Sequence, residues 1–268
     1  MARLALVTGA STGIGRACAE RLAGLGHHVL AGVRRAGDAP PGTEELELDV
    51  TDEAQVAAAA ERVGGSLDVL VNNAGITVNG PVESLPVAEW RRQLEVNFLA
   101  PVAVTHALLP ALLAVRGTVV NMSSISGRMA LPVLGPYAAS KYALEAFSDS
   151  LRREVGPSGV RVAVVEPGRI ATPVWEKGIS AGDAMLDSMP DDVRRRYGRT
   201  IDFLLREARR AGQDGEPPSK VADAIEHAVT ARRPRTRYVV GRDARIQAVL
   251  ARALPDRAID AFLRYFMR

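Results

Sequence analysis

The sequence predicts an α/β fold, a doubly wound parallel sheet of about seven strands with helices on both faces. Three observations carry that expectation. Short apolar runs, several of them Val-rich, alternate with longer helical patterns. Most runs end in Gly, Asp or Asn. The first run leads straight into a glycine cluster that opens a helix. In order, the runs are Ala5-Leu6-Val7, Val29-Leu30-Ala31, Leu46-Glu47-Leu48, Val69-Leu70-Val71, Thr118-Val119-Val120 and Val162-Ala163-Val164-Val165. Between them lie helical patterns at Arg16 to Leu25, Glu53 to Val63, Trp90 to Leu113 and Tyr137 to Val155. A seventh run, Thr236 to Val240, predicts an edge strand. The regularity fails between Pro173 and Pro218, which holds helical pieces such as Asp191 to Ala211 but no strand. That stretch follows the sixth strand, at the end where open α/β sheets bind ligands. Residues 174–216 are therefore expected to form a substrate lid, the alternative being a helical surface decoration. Residues 242–268 are expected to form a helical tail. Residues 1–268 read as one domain, with 37–42 and 212–219 as loops inside it.

Composition excludes several classes. The chain has 268 residues, with 34 Lys plus Arg against 31 Asp plus Glu, a net charge of +3. Its 47% hydrophobic and 24% charged residues are ordinary for a globular protein. The pI of 9.3 suggests a nucleic-acid partner, but the excess is small and no nucleic-acid motif accompanies it. Arg232, Arg233, Arg235 and Arg237 read as a solvated basic face. Cys18 is the sole cysteine, so no disulfide or cysteine-cluster metal site can form. It reads as a buried packing residue, and no metal is expected. No uninterrupted run of about 18 apolar residues occurs, so no membrane span is expected. The N-terminus has no signal-peptide pattern, which points to a cytoplasmic location.

After the first strand comes Thr8-Gly9-Ala10-Ser11-Thr12-Gly13-Ile14-Gly15. Glycines permit a tight turn and close approach of a pyrophosphate, and a helix N-terminus offers free N–H groups and a positive dipole end. The spacing is Gly-x-x-x-Gly-x-Gly, not the commoner Gly-x-Gly-x-x-Gly fingerprint. Tyr137 and Lys141 stand four apart and share a helix face. A tyrosine is a poor base near neutral pH, and a neighbouring ammonium favours its phenolate. Such a pair can exchange a proton with an alcohol or a carbonyl. Asn73-Ala74-Gly75 follows the fourth strand, Asn97 lies in the next helix, and Ser124 follows the fifth strand. Pro167-Gly168-Arg169-Ile170-Ala171-Thr172 follows the sixth.

These blocks, in this order and at these spacings, resemble the short-chain dehydrogenase/reductase family over about residues 4–173. The resemblance implies a single-domain Rossmann-type fold and a nicotinamide cofactor. It implies Asn97, Ser124, Tyr137 and Lys141 as the catalytic set: Ser124 rather than Ser123 holds the substrate oxygen, and Asn97 helps to hold a water that links Lys141 to solvent. It implies cofactor contacts from Gly9, Ser11, Thr12, Gly13, Ile14 and Gly15. Asn73, Ala74 and Gly75 pass the adenosine ribose. Pro167, Gly168 and Ile170 shape the nicotinamide wall, Thr172 binds the carboxamide, Lys141 also binds the ribose hydroxyls, and Tyr137 is a further cofactor contact. Asp49 and Val50 match positions that bracket the adenine, although Asp49 could equally cap the helix starting at Thr51-Asp52-Glu53.

The family's NAD-selecting carboxylate position aligns with Gly32, and no acid stands nearby before Asp38. Arg34 follows, where a guanidinium suits a 2′-phosphate. NADP is therefore expected, with NAD as the alternative, although Thr12 stands where some NADP-dependent relatives carry a second basic residue. Val174, Trp175, Ile179, Met185, Leu186 and Met189, with Ile125, Met129, Leu131, Val133 and Leu134, would line an apolar pocket. The insertion and the Gly135-Pro136-Tyr137 approach resemble the hydroxysteroid and retinol dehydrogenase branch, which implies a bulky carbonyl or alcohol substrate. The alternatives are a 3-oxoacyl or acetoacetyl-type reductase and a non-catalytic cofactor-binding regulator. Resemblance also implies a homodimer or homotetramer. The tail's stripe of Ile246, Val249, Leu250, Leu254, Ile259, Phe262, Leu263 and Phe266 is expected to pack on its own domain, the alternative being contact with a membrane surface.

Overall fold

The structure, a computed structural model, describes residues 3–266; the side chains of Lys177, Ala181 and Phe266, the last counted in the tail's apolar stripe, lie outside the described residues. Seven strands form one parallel sheet: β1 (Leu4–Thr8), β2 (His28–Val33), β3 (Glu44–Glu47), β4 (Val69–Asn72), β5 (Thr118–Met122), β6 (Arg161–Pro167) and β7 (Arg237–Val240). Their order is β3-β2-β1-β4-β5-β6-β7. The chain reverses direction across the sheet at β1, which neighbours both β2 and β4, so a crevice opens at the C-terminal ends of these strands.

Side chains alternate along each strand and supply two cores at once. Ala5 and Val7, Val29 and Ala31, and Val69 and Val71 face one layer; Leu6, Leu30 and Leu70 face the other. Burial on both faces explains why the strands read as continuous apolar runs. The first layer is closed by α1 (Gly13–Gly24) and α8 (Pro218–Thr230) through Cys18, Leu22, Val221 and Ile225. The second is closed by α2 (Glu53–Val63), α4 (Ala100–Val115) and α5 (Gly135–Val155) through Val56, Leu108, Leu112 and Leu151. Cys18 is fully buried, and burial pushes its thiol up to about 12, so it is inert packing.

Three details differ from the sequence reading. The helix expected at Trp90 to Leu113 is α3 (Val87–Leu94), a π-helical turn at Glu95–Leu99, and α4. Within Val87–Val115 lies a segment long and apolar enough to cross a bilayer, by length and composition only. Thr105 and His106 interrupt the apolar run, so counting uninterrupted residues missed it. Its inner face, with Val104, Leu108 and Leu112, is nevertheless part of the sheet's core. Finally, Asp49 does not cap α2. Asp52 does, accepting the N–H groups of Ala54 and Gln55, while Asp49 accepts the N–H and hydroxyl of Thr51.

After β6 the chain forms α6 (Val174–Ser188) and α7 (Asp191–Asp214), then α8. Leu186, Met189, Val193, Ile201 and Leu205 make a small core between α6 and α7, with Val133 and Met185 packed against it. Both ends of this hairpin are tied near the sheet: Ala171 N–H donates to the Glu216 carbonyl, and Glu216 N–H donates to the Arg169 carbonyl. After β7 come α9 (Arg242–Ala253) and α10 (Asp256–Phe266).

Candidate active site

The glycine cluster forms a cradle that tolerates no side chains. Gly9 and Gly13 have φ of +65° and +56°, a region that favours glycine. A Cβ on Gly15 would stand 2.2 Å from the Gly9 carbonyl oxygen and 2.4 Å from Nδ2 of Asn73. Thr12 precedes α1 in extended conformation without a side-chain capping bond, so the first-turn N–H groups face the crevice. Thr8 and Asn73 fix this floor. Thr8 Oγ1 accepts the N–H groups of Asn73 and Ala74, each at 3.0 Å, and Asn73 Nδ2 donates to the carbonyls of Thr8 (2.9 Å) and Gly9 (3.1 Å). Thr172, from the loop after β6, packs against Gly13, 3.3 Å from where its Cβ would be. These residues fit a bound pyrophosphate: the cradle lacks side chains and offers free N–H donors.

On one side of the cradle lie Arg34 and Asp49. Thr51 hydrogen bonds, with Arg34 nearby, hold the Asp49 carboxyl below the usual range. Arg35 turns outward to Asp38 (3.1 Å). Gly32 sits in tight surroundings, its would-be Cβ 3.2 Å from the Val7 carbonyl oxygen and from Leu48.

On the other side, α5 brings Tyr137 and Lys141 onto one face, beside Ser124 at the end of β5. Ser124 Oγ accepts the Ser126 N–H at 3.1 Å. Lys141 is buried, and its Nζ donates to the Met122 carbonyl at 2.8 Å and lies 5.7 Å from the Tyr137 ring centre. Burial lowers its ammonium from 10.5 to about 8, partly offset by the charge of Glu145. Burial raises the Tyr137 phenol, and its hydrogen bond with Ser124 pulls the other way. Ser123 Oγ is buried without a hydrogen-bond partner among the described residues.

Asn97 sits within the π-helical turn, fully buried. Its Oδ1 accepts the Ile76 N–H (2.8 Å) and its Nδ2 donates to the Ile76 carbonyl (3.0 Å). Gln93, one turn earlier, donates to the same carbonyl and accepts the Val78 N–H. Sequence reasoning missed Gln93. Its only signal was a polar residue on the inward face of an otherwise apolar helical stretch.

All the residues expected from sequence to carry catalysis or hold the cofactor line a single cavity of about 810 Å³, within the roughly 300–1,000 Å³ typical of ligand clefts. Ile125, Met129, Leu131, Val133, Leu134, Val174, Trp175 and Met185 form its apolar part. Ile179, Leu186 and Met189 do not line it, and the last two are spent on the α6–α7 core. Val133 has a φ of +70°, an unfavourable backbone for a β-branched residue, and its carbonyl accepts the Gly80 N–H.

The tail meets its own domain over the cavity, which Ile246, Gln247, Leu250, Phe262 and Leu263 line, although Ile246, Val249 and Phe262 remain 60%, 64% and 42% exposed. Asp243, in the first turn of α9, reaches back to the loop after β6. Its Oδ2 accepts the Arg169 N–H at 3.0 Å, and its carboxylate packs so closely on Gly168 that a Cβ there would clash at 2.5 Å. Arg169 also pairs with Glu207 of α7 at 2.9 Å. Nothing in the local pattern marks Asp243, because its contact lies 74 residues away in the chain. Arg237 was misread. It is not a solvated charge but pairs with Glu145 and Asp149, each at 3.0 Å.

Comparison with known proteins agrees with this arrangement. Residues 3–181 match the family model described as short chain dehydrogenase. The chain is 41% identical to mouse retinol dehydrogenase 5 over 97% of its length and 87% of the relative's. It is 36% identical to an NADPH-dependent 3-dehydrocapnine reductase from Ornithobacterium rhinotracheale, covering 96% of this chain and 95% of that one. Among solved structures, a Burkholderia cenocepacia J2315 short chain dehydrogenase in complex with NADP superposes with a TM-score of 0.77 at 28% identity, over 98% and 97% of the two chains. The parallel sheet, the glycine cradle and these matches together place the chain in the short-chain dehydrogenase/reductase family of nicotinamide-dependent oxidoreductases.

Proposed function

We propose that the chain is an NADP(H)-dependent oxidoreductase acting on a bulky apolar carbonyl or secondary alcohol, of steroid- or retinoid-like size. The carrying observation is that the Ser124, Tyr137 and Lys141 group, the glycine cradle and the apolar lid wall share one cavity. Nicotinamide, when bound, supplies or accepts the hydride. The chain's own residues do the rest. The turn from Gly9 to Gly15, with Ser11 and Thr12, holds the pyrophosphate; Asp49 and Val50 bracket the adenine; Asn73, Ala74 and Gly75 pass the ribose. Pro167, Gly168, Ile170 and Thr172 wall the nicotinamide end. Ser124 donates to the substrate oxygen, Tyr137 gives that oxygen a proton in reduction or takes one in oxidation, and the Lys141 ammonium favours the phenolate that remains. Asn97 helps to hold a water that links Lys141 to solvent, its carboxamide fixed in place by its two hydrogen bonds to Ile76.

Arg34 and the cramped surroundings of Gly32 support NADP, as do the NADPH-dependent relative and the NADP-bound neighbour. Arg34→Asp is expected to lower the ratio of kcat/KM for NADPH over NADH by about 10- to 100-fold, the worth of a charged hydrogen bond. An unchanged ratio, or a wild-type preference for NADH, overturns the assignment. Retinol dehydrogenase relatives and the apolar lining support the substrate class. A panel of retinoid, steroid, short 3-oxoacyl and sugar carbonyls should show turnover of the first two; turnover confined to the small polar compounds defeats it. Leu99, Leu113 and Tyr142, exposed on the helical face that carries α4 and α5, support a homodimer packed through those helices.

A further inference from the structure

Behind Lys141, away from the cavity, lies a buried cluster of charges that the proposed chemistry does not use. Glu145 is one turn after Lys141 on α5 and only 9% exposed. Its Oε2 pairs with Arg237 of β7 at 3.0 Å, and its Oε1 has no hydrogen-bond partner among the described residues. Arg237 also meets Asp149 of α5 at 3.0 Å and Glu166 of β6 at 3.4 Å. Glu166 is completely buried and pairs with Arg128, from the segment after Ser124, at 2.7 Å. Gly127 permits this approach: a Cβ there would stand 2.9 Å from Ser123 Oγ and 3.1 Å from Cγ of Glu145.

A buried ammonium whose hydrogen bond goes to the neutral Met122 carbonyl needs a counter-charge. We propose that Glu145, held in place by Arg237, is a positioning residue that supplies this counter-charge and keeps Lys141 protonated. The proposal rests on the reading of Lys141 as the partner of Tyr137. Glu145 meets Arg237 of β7 and acts on Lys141 of its own helix and Glu166 of β6, while Asp149 pairs with Arg237 and Arg128 with Glu166. Glu145 is the charged group that acts on the Lys141 ammonium, against the effect of burial.

The sequence contains three lysines, Lys141, Lys177 and Lys220, so lysine side-chain NMR of the isotopically labelled, cofactor-free protein reads Lys141 directly, with Lys141→Met giving the assignment. Glu145→Gln is expected to lower the Lys141 titration by about one to two pH units, while Glu145→Asp keeps it near the wild-type value. The alkaline limb of kcat/KM should move by the same amount, with kcat unchanged at lower pH. A merely structural role would reduce kcat evenly at all pH values and leave the lysine titration unmoved, and that result overturns the proposal. If Glu145→Gln does not fold, Arg237→Met serves in its place. With Glu145 no longer held, the Lys141 titration should fall, and no change or a rise overturns the proposal. An active Tyr137→Phe enzyme would sink the acid/base reading while leaving the charge coupling measurable, so the two failures are distinguishable.

Discussion

Tyr137→Phe should lower kcat by about 100- to 10,000-fold, the usual contribution of a positioned acid or base. The substitution removes one oxygen and keeps the ring, so the half-buried side chain continues to fill its place on α5. In the proposed reading most cofactor contacts come from the glycine cradle and the loop after β6. The expected result is therefore a selective loss: kcat collapses while the Kd for NADPH stays within a few-fold, as read by quenching of protein fluorescence. The phenol is raised by burial and lowered by its contact with Ser124, so Ser124→Ala should push the same titration further up. A Tyr137→Phe enzyme with near wild-type turnover on every substrate of the panel removes the acid/base assignment.

The second large effect combines loss of activity with gain of stability. Lys141 is buried, and its folded value is about 8 against an ordinary 10.5. The unfolded chain therefore binds the proton more tightly between these two values, and stability rises with pH across that window. Below about pH 8 the folded protein carries a buried ammonium, at a cost of about 3 kcal/mol relative to the neutral amine. Lys141→Met removes the charge and retains the apolar stem. It should abolish turnover and stabilise the fold at pH 7 by about 1–3 kcal/mol, with the advantage shrinking as pH approaches 10.5. Urea unfolding at pH 7 and pH 10 checks both the sign and its decay. Equal or lower stability of the variant at pH 7 would show that Lys141 bears no such cost.

Where sequence and structure agree, the cause is local. A strand buried on both faces must be apolar at every position, so Ala5 to Val7 and Val162 to Val165 were readable as strands. Glycines with positive φ or no room for a Cβ cannot be replaced, so the cradle was readable from spacing alone. Tyr137 and Lys141 share a face by helical geometry. What escaped is set by distant contacts. Leu186 and Met189 look like pocket residues in sequence, because an apolar side chain does not reveal which of two neighbouring cavities it fills. Arg237 belongs to an arginine-rich stretch, yet alone of those side chains it turns under β7 to meet three carboxylates. The tail helices read as an amphipathic stripe, and period alone does not tell whether that stripe faces a core, a membrane or a ligand cavity.

The bond from Asp243 to Arg169 has a consequence for the order in which the protein matures during synthesis. The loop at Pro167–Gly168 is braced by the Asp243 side chain, translated long after it. A nascent chain that has already exposed β1 through β6 to solvent still lacks that brace, and it acquires it only once α9 has left the ribosome. Until then the loop after β6 is held by its bonds to Glu216 and Val240, without the Asp243 carboxylate. The loop that carries Gly168 thus receives its last carboxylate support from a residue translated after Ser124, Tyr137 and Lys141.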